Sequence, residues 1–370
     1  MSINETFSPG LDGIIVGETA ISKVDGDQGK LVYRGHSIED LTQRSFLHVA
    51  YLLIYGTEPT SDQLKALEFF MHEHSEISDR EWQFLRSLDP KLHPMLMLQS
   101  AVPMMDLSVK SPLRINSDTS ESLDGLIIAA KIPGFIAAWH CIQKGQEIHQ
   151  PSDSDFLTRF LQSFRASDEV TPEHQSILNI AQILQMEHGY NAGTFAGRVC
   201  ASTQAPIQSV ISTSIGTLFG RLHGGADQAA LEMAIEIDDP NQARAWVLEQ
   251  LQAKQKIMGM GHREYRRLDP RAAILKPMAK KVCQGYGRRL YDVLEAVEDA
   301  CQEIFSQKGK EIHANVEFYK GAVFHELGIP THYFTAMFAM SRVYGYIAHF
   351  VEFQQNARLI RPKARYIGRA

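Results

Sequence analysis

Three histidines of this chain lie in settings that favour contact between an imidazole ring and a ligand. His188 lies in EHGYNAG, His223 in GRLHGGAD and His262 in GMGHREY. Glycines beside a ring allow a backbone or a ligand to approach it closely. A single histidine of this kind is most often structural, but several of them together favour a functional site.

A carboxylate and a set of arginines supply the other candidate groups. Glu317 lies in HANVEFYKG, where it is either a surface charge beside aromatic residues or a base placed to remove a proton. Arg271 follows an Asp-Pro pair, Arg342 lies within an apolar segment, and Arg361 precedes a proline. The planar guanidinium fits a carboxylate, whereas its burial without a partner is costly. These arginines and histidines together suit a small polycarboxylate ligand, and an internal salt bridge is the alternative for Arg342.

Two other kinds of site find no support in the spacing of these residues. The three histidines are separated by about 35–40 residues, and the chain has no HExxH or HxxxH pair that would indicate zinc. It also lacks the GxSxG motif of a nucleophilic serine. We therefore expect no metal and no catalytic triad.

The elements that position these residues are predicted to be mostly helical. Near the N-terminus, IIVGETAIS and KLVYRG flank the turn-rich KVDGDQG, which suggests a small β-hairpin. FLHVAYLLIYG is predicted as a buried helix ended by Gly56. Apolar residues at three- and four-residue steps predict a helix in APIQSVISTSIGTLFGRLHGG, closed by Gly224 and Gly225 with His223 at its end. RRLYDVLEAVEDACQEIF and the apolar stretch after Pro330 are predicted as further helices.

Length and composition limit the class of protein. A chain of 370 residues exceeds one ordinary core and suggests a large and a small domain. Its formal net charge of −6 argues against nucleic-acid binding. The four cysteines are widely spaced and form no CxxC pair, so a disulfide framework is not expected. No signal peptide and no apolar run of membrane-spanning length is expected, which predicts a cytoplasmic protein without membrane contact.

Several segments, taken in order, resemble the citrate synthase family. GMGHREYRRLDPRA is similar to the family signature, and KIPG, EHGYNAGTFAGRV, GRLHGGADQAALEM, NVEFYKG, SRVYGYIAHFVEF and RLIRPKARYIG follow the family's order. The resemblance covers about Gly10 to Gly368. Within the family, the chain is similar to the short bacterial form shared by citrate and 2-methylcitrate synthases. It implies a mainly α, multi-helical two-domain fold with a small N-terminal β-hairpin. Residues 1–223 and 322–370 would form the large domain and 224–321 the small one.

The resemblance also implies a reaction and an assembly. Members condense acetyl-CoA with oxaloacetate and hydrolyse the thioester to give citrate and CoA, with the acyl-CoA as a co-substrate and no permanently bound cofactor. The family pattern places Glu317 as the base, His223 as the group that stabilises the enol, and His262 as the group that polarises the ketone. His188, Arg271 and Arg342 would hold the carboxylates of the oxo acid. The implied assembly is a homodimer, or a higher homo-oligomer, in which the partner subunit contributes Arg361.

A CoA-binding region follows from the same resemblance. Arg266 would contact a CoA phosphate, and the backbone of Ile257, Met258, Gly259, Met260 and Gly261 would lie against the adenine or pantetheine part.

The chain departs from the family pattern at several of these positions. The family's catalytic aspartate is Glu317 here, which is one methylene longer. Glu187 and Gly189 flank His188 in place of Asp and Glu, and Arg221 and Glu264 replace a proline and a valine. Three functions follow: a citrate synthase, a condensing enzyme for another acyl-CoA or oxo acid such as a 2-methylcitrate synthase, or a weakly active ligand-binding paralogue.

Overall fold

The computed structural model describes residues 7–110, 119–149, 151, 154–262, 264–285 and 287–369. Within them it contains sixteen α-helices and one three-stranded antiparallel sheet. The strands are β1 (Ser22–Asp25), β2 (Lys30–Tyr33) and β3 (His36–Ser37). The helices are α1 (Ile38–Leu41), α2 (Phe46–Tyr55), α3 (Ser61–Glu73), α4 (Asp79–Ser87), α5 (Pro94–Ala101), α6 (Ser120–Lys144), α7 (Phe156–Arg165), α8 (Pro172–Leu184), α9 (Ala192–Ala201), α10 (Ile207–Leu218), α11 (Ala226–Ile237), α12 (Ala243–Gln252), α13 (Pro270–Val282), α14 (Arg288–Ser306), α15 (Val316–Glu326) and α16 (Phe334–Gln354).

The N-terminal hairpin lies later in the chain than the sequence pattern predicted. The first strand is β1, which pairs with β2 in the register Ser22 to Tyr33, so it occupies part of the stretch predicted as the turn. The expected strand in IIVGETAIS is wrong. Ile15 is 90% exposed there, so this apolar segment lacks the buried face that would fix it in a sheet.

Helix ends agree with the predictions in one case and differ in another. α2 ends at Gly56, whose φ of 78° gives the left-handed cap expected for glycine. α10 ends at Leu218, six residues before the predicted closing glycine, and His223 lies in the turn that follows rather than at the helix end. Gly220 lies in this turn, and glycine has low helix propensity. Gly224 donates a backbone hydrogen bond to Leu218 O at 3.0 Å, which closes the turn.

The core is built around two long helices, α6 and α16. α16 is buried from Phe334 to Phe350, and α6 packs against it. By length and composition, α6 could cross a membrane, so the expectation that no apolar run reaches this length is wrong. Most of its apolar stretch is buried among the other helices, as in the core helix of a globular protein. Cytoplasmic location stays a prediction.

Candidate active site

A cleft of about 870 Å³ brings together most of the residues singled out in the sequence. It is lined by elements from both predicted domains: the segment 10–17, α9 and α16 on one side, and α11, α13 and α15 on the other. The division at residues 223 and 321 stays a prediction. The predicted site residues that line the cleft are His188, His223, Gly261, His262, Arg271, Glu317 and Arg342.

Two loops of the cleft are joined by a short backbone ribbon, which consists of residues 259–261 and 313–315. Gly261 N donates to His313 O at 2.8 Å, and Asn315 N donates to Gly259 O at 2.9 Å. The Asn315 side chain adds a hydrogen bond from Nδ2 to Gly261 O at 3.1 Å. The ribbon therefore fixes the loop that carries His262 against the start of the helix that carries Glu317.

Glycine is required within this ribbon. Gly259 has φ of +80°, and a Cβ at this position would lie 2.6 Å from Cδ2 of Phe318. Both the left-handed backbone and the close approach exclude other side chains. Gly259 O and Gly261 N are used inside the ribbon, so they are engaged before any CoA binds. CoA contact by residues 257–261 stays a prediction.

His262 and Arg271 place two donors side by side. His262 Nδ1 accepts hydrogen bonds from the backbone N–H groups of Glu264 and Tyr265, at 3.0 and 3.2 Å. The proton of the neutral ring is therefore on Nε2, which lies 3.4 Å from Arg271 Nη2. Burial and the Arg271 charge lower the pKa of His262, which keeps the ring neutral. An anionic oxygen between these two donors would satisfy both.

Arg271 is held rigidly by an acid at the start of its own helix. Asp269 caps α13 by accepting from Arg271 N at 2.9 Å. The same carboxylate accepts from Arg271 Nε at 3.0 Å and from Nη2 at 2.8 Å. This bidentate pair is almost fully buried. Burial lowers the pKa of Arg271, but the charges of Asp269 and Glu317 and the Asp269 hydrogen bond together raise it above its ordinary value.

His188 and Arg342 complete the basic side of the cleft. His188 Nε2 lies 3.2 Å from the hydroxyl of Tyr265, and its ring packs edge-on against His262 at 5.5 Å. Burial, followed by the charges of Arg271 and Arg342, lowers the pKa of His188 well below its ordinary value. Arg342 is 1% exposed and donates from Nε to Gln185 O at 2.7 Å. Among the residues that the structure describes, no acid forms a salt bridge with Arg342, and the Gln185 carbonyl holds its side chain instead.

His223 contacts the N-terminus of α9. Its Nε2 lies 3.3 Å from Gly193 N and 3.1 Å from Oδ1 of Asn191, the residue that caps this helix. Burial and the Arg342 charge lower the pKa of His223 to about 4. The ring is therefore neutral at pH 7, and a neutral imidazole donates from one nitrogen only.

Glu317 is one of three acids that line the cleft, with Asp12 and Glu264. It is the second residue of α15, and its backbone N–H donates to the capping Asn315 at 3.1 Å. Burial raises its pKa, but the Arg271 and Lys320 charges, with smaller contributions from His262 and a backbone hydrogen bond, lower the pKa below its ordinary value. The N-terminus of a helix also favours a negative charge. Glu317 is thus ionised at neutral pH. Its place in the cleft lining, near Arg271 and His262, excludes the interpretation of a free surface charge.

Six predicted residues lie away from the cleft lining: Ile257, Met258, Gly259, Met260, Arg266 and Arg361. Arg266 has a side chain that is 84% exposed and pairs with Asp27 at 3.4 Å. Arg361 is exposed in the extended segment after α16. Because its predicted role is in the partner's site, a single chain does not test it, and both roles stay predictions.

Several lining residues were missed in the sequence. Asn191 and Asn315 cap α9 and α15, and Phe338 lies one turn before Arg342 on α16. An asparagine before a helical stretch is a recognisable cap signal, which could have identified the first two. The sequence of the segment 10–17 gave no indication that it lines a binding site.

The departures beside His188 are accommodated by burial. Glu187 is fully buried, and its Oε1 accepts from Ser22 Oγ at 2.9 Å, from His349 Nε2 at 3.0 Å and from Gly189 N at 2.6 Å. Burial raises the pKa of Glu187, but the His349 and Arg342 charges lower it on balance. Glu264, another departure, lines the cleft.

A metal centre finds no support in the described part of the chain. It holds no group of three His, Cys, Asp or Glu side chains placed to bind a metal ion. The four cysteines are all described, and each is a free thiol. The cleft instead combines neutral imidazoles and buried guanidinium groups with the Glu317 carboxylate, which suits proton transfer next to an anionic ligand.

Comparison with known proteins identifies the family. The family model "Citrate synthase, C-terminal domain" matches residues 10–363. A citrate synthase of Synechocystis is 36% identical over the whole of this chain and 92% of its own length. A 2-methylcitrate synthase of Shewanella oneidensis is 35% identical over 97% of this chain and 94% of its own length.

Solved structures agree with the sequence matches and confirm the predicted mainly α fold. Citrate synthase from Thermoplasma acidophilum, solved as a ternary complex with carboxymethyl coenzyme A and oxaloacetate, has a TM-score of 0.89 at 30% identity. The match covers 99% of this chain and 97% of that one. Citrate synthase from Thermotoga maritima has a TM-score of 0.87 at 32% identity, over 98% and 96%. The chain therefore belongs to the citrate synthase family of transferases.

Proposed function

We propose that this protein condenses acetyl-CoA with oxaloacetate and hydrolyses the product thioester to give citrate and CoA. The observation that carries the proposal is the placement of an ionised carboxylate, three neutral imidazoles and two buried arginines around one cleft. The relatives named citrate synthase, and the solved complex with a CoA derivative and oxaloacetate, support the choice of substrates.

Oxaloacetate binds on the basic side of the cleft in this proposal. Its carboxylates accept from Arg271, Arg342 and His188. Its ketone oxygen accepts from His262 Nε2–H, which the two backbone hydrogen bonds to Nδ1 hold in the donor tautomer. Donation to this oxygen stabilises the negative charge that develops there as the new bond forms.

Proton removal takes place on the other substrate. Glu317 takes a proton from the methyl carbon of acetyl-CoA while His223 donates to the thioester oxygen, which becomes the enol oxygen. Donation into the cleft requires the tautomer with the proton on Nδ1, in which Nε2 accepts from Gly193 N–H. The enol carbon then attacks the ketone carbon, and water cleaves the thioester to release CoA as its thiol. A pKa of about 4 for His223 supports this role, because the ring is then neutral at pH 7 and keeps one nitrogen as an acceptor for Gly193 N–H while the other donates.

The substrates are tested by the release of CoA thiol from acetyl-CoA and from propionyl-CoA, each with oxaloacetate and with other 2-oxo acids. We expect the largest kcat/KM for acetyl-CoA with oxaloacetate. A larger value for propionyl-CoA would identify a 2-methylcitrate synthase, which relatives with that name make the second candidate. No thiol release from any pair, with saturable oxaloacetate binding, would contradict both and indicate a ligand-binding paralogue.

A homodimer with shared active sites is the second part of the proposal. The segment after α16 is extended and exposed through Arg369, and it includes Leu359, Tyr366 and Ile367, which are 62%, 76% and 93% exposed. Such exposed apolar residues are typical of a surface covered by another chain. Arg361 lies within this segment and in the proposal reaches the cleft of the partner subunit.

Mixed dimers test the shared site. Arg361→Ala is expected to raise the KM for oxaloacetate about tenfold or more, because one carboxylate contact is lost, and to leave the dimer intact by light scattering. Co-expression with Glu317→Gln should restore the low KM in about a quarter of all sites, since half of the dimers are mixed and one of their two sites is complete. Absence of this restoration would mean that Arg361 does not act across subunits.

A further inference from the structure

Lys320 is a buried cation that the site described so far does not use. It lies on α15 three residues after Glu317, and its relative exposure is 0%. Residues three apart on a helix lie on the same face, so the cation and the carboxylate are neighbours. A lysine is seldom fully buried unless its charge is paired.

The partners of Lys320 come from three other helices or their ends. Its Nζ donates to Gln185 Oε1 at 2.9 Å and lies 3.2 Å from Asp227 Oδ2. The ammonium also lies 4.5 Å from the centre of the Phe338 ring, which favours a cation. Asp227 is likewise 0% exposed, so the pair is held without solvent.

The same partners extend to the arginine that faces the oxo acid. Gln185 accepts from Lys320 with its side-chain oxygen and from Arg342 Nε with its backbone oxygen, at 2.9 and 2.7 Å. The Arg342 guanidinium also lies 4.7 Å from the Phe338 ring. Gln185 and Phe338 thus link the helix of the base to the basic side of the cleft.

Five charged or titratable groups interact with the Glu317 carboxylate. They come from α13, α15, α11 and the loops before α11 and α13: Arg271, Lys320, Asp227, His223 and His262. Arg271 faces the oxo acid in the proposed complex, so the carboxylates of that ligand compensate the Arg271 charge once it binds. Lys320 lies behind the cleft and keeps its effect on Glu317 in the loaded enzyme.

We propose that Lys320, paired with Asp227, is a positioning residue that keeps Glu317 in place as a carboxylate while the oxo acid occupies the arginines. This inference rests on the proposed function. It predicts that removal of the Lys320 charge affects proton abstraction more than oxaloacetate binding, although Lys320 touches neither substrate.

The test uses the double variant Lys320→Met with Asp227→Asn, which removes both charges and leaves no buried ion unpaired. The expected result is a kcat lowered about tenfold, an acid limb of the kcat profile shifted upward by roughly one pH unit, and oxaloacetate affinity within about threefold by calorimetry. The acid limb is expected to move upward because Lys320 lowers the pKa of Glu317, so its removal raises that pKa. The matched control is Lys131→Met with Glu81→Gln, a buried pair between α6 and α4 at 2.9 Å, which should change stability without moving the acid limb.

A kcat within about twofold of the parent and an unmoved acid limb would overturn the proposal. If the double variant does not fold, Asp227→Asn alone is used, which keeps Lys320. The proposal then requires a downward shift of the acid limb, and an upward or absent shift overturns it.

If the parent protein releases no thiol, the proposed function fails separately. The Glu317 carboxylate is then titrated by ¹³C NMR with oxaloacetate bound and Glu317→Gln as the blank. A carboxylate pKa that is the same with and without Lys320 overturns the inference.

Discussion

Replacing Glu317 with glutamine is expected to lower kcat by about 10³-fold or more, because the amide cannot accept the proton of the thioester methyl group. The substitution keeps the length and volume of the side chain and removes its negative charge. Oxaloacetate faces Arg271, Arg342 and the imidazoles, so its dissociation constant should stay within a few-fold by calorimetry. Proton exchange from acetyl-CoA, followed by NMR in deuterated water, should be lost together with thiol release.

The control for this prediction is Glu311→Gln, which changes an exposed acid in the loop before the ribbon. It should leave kcat unchanged. Turnover by Glu317→Gln at near the parental rate would show that another group is the base. Glu317→Asp is the informative partner, because a misplacement of about 1 Å can cost roughly a hundredfold in rate. A rate that rises in Glu317→Asp would mean that the longer side chain limits the native enzyme.

The second large effect is expected at His223. His223→Ala removes the donor to the developing enol oxygen and should lower kcat by about 10²–10³-fold. Thiol release at saturating acetyl-CoA measures this loss. His223→Gln retains a neutral donor and should keep more activity than the alanine variant. Equal activity of the alanine variant and the parent would contradict the role.

The pH dependence provides an independent check on His223. Its pKa in the folded protein, about 4, lies below the ordinary value of 6.5, so the active neutral form persists on acidification until near pH 4. The pKa of Glu317 is also lowered from its ordinary value, and the active carboxylate form is present at every pH above that lowered pKa. The acid limb of kcat should therefore lie well below pH 6.5. An acid limb at pH 6.5 would mean that a histidine with the ordinary pKa controls turnover, which would contradict the lowered pKa of His223.

Much of the candidate site was predictable because its residue types are unusual where they stand. An arginine within the apolar run of α16 and histidines beside glycines identified themselves by local context, and the cleft contains them. The contacts that hold them were less accessible. Lys320 meets Gln185 across 135 residues of sequence, and no local pattern in either segment indicates the other.

The errors of prediction have local causes. The apolar run IIVGETAIS has the composition of a strand, but its residues 14–17 face solvent and the cleft instead of a partner strand. The helix period continued past Leu218, yet the glycines of the following turn ended α10 early. Exposure of the segment decided the first outcome and the low helix propensity of glycine the second, and periodicity decided neither.

The backbone ribbon of residues 259–261 and 313–315 has a consequence for protein engineering. Because the two loops align each other through main-chain hydrogen bonds, neither is an independent module. A chimera that imports only one of them from a homologue would carry a mismatched half, whereas exchange of both, together with Phe318, preserves the fit against Gly259. Directed evolution of substrate range should accordingly recombine these segments as one block.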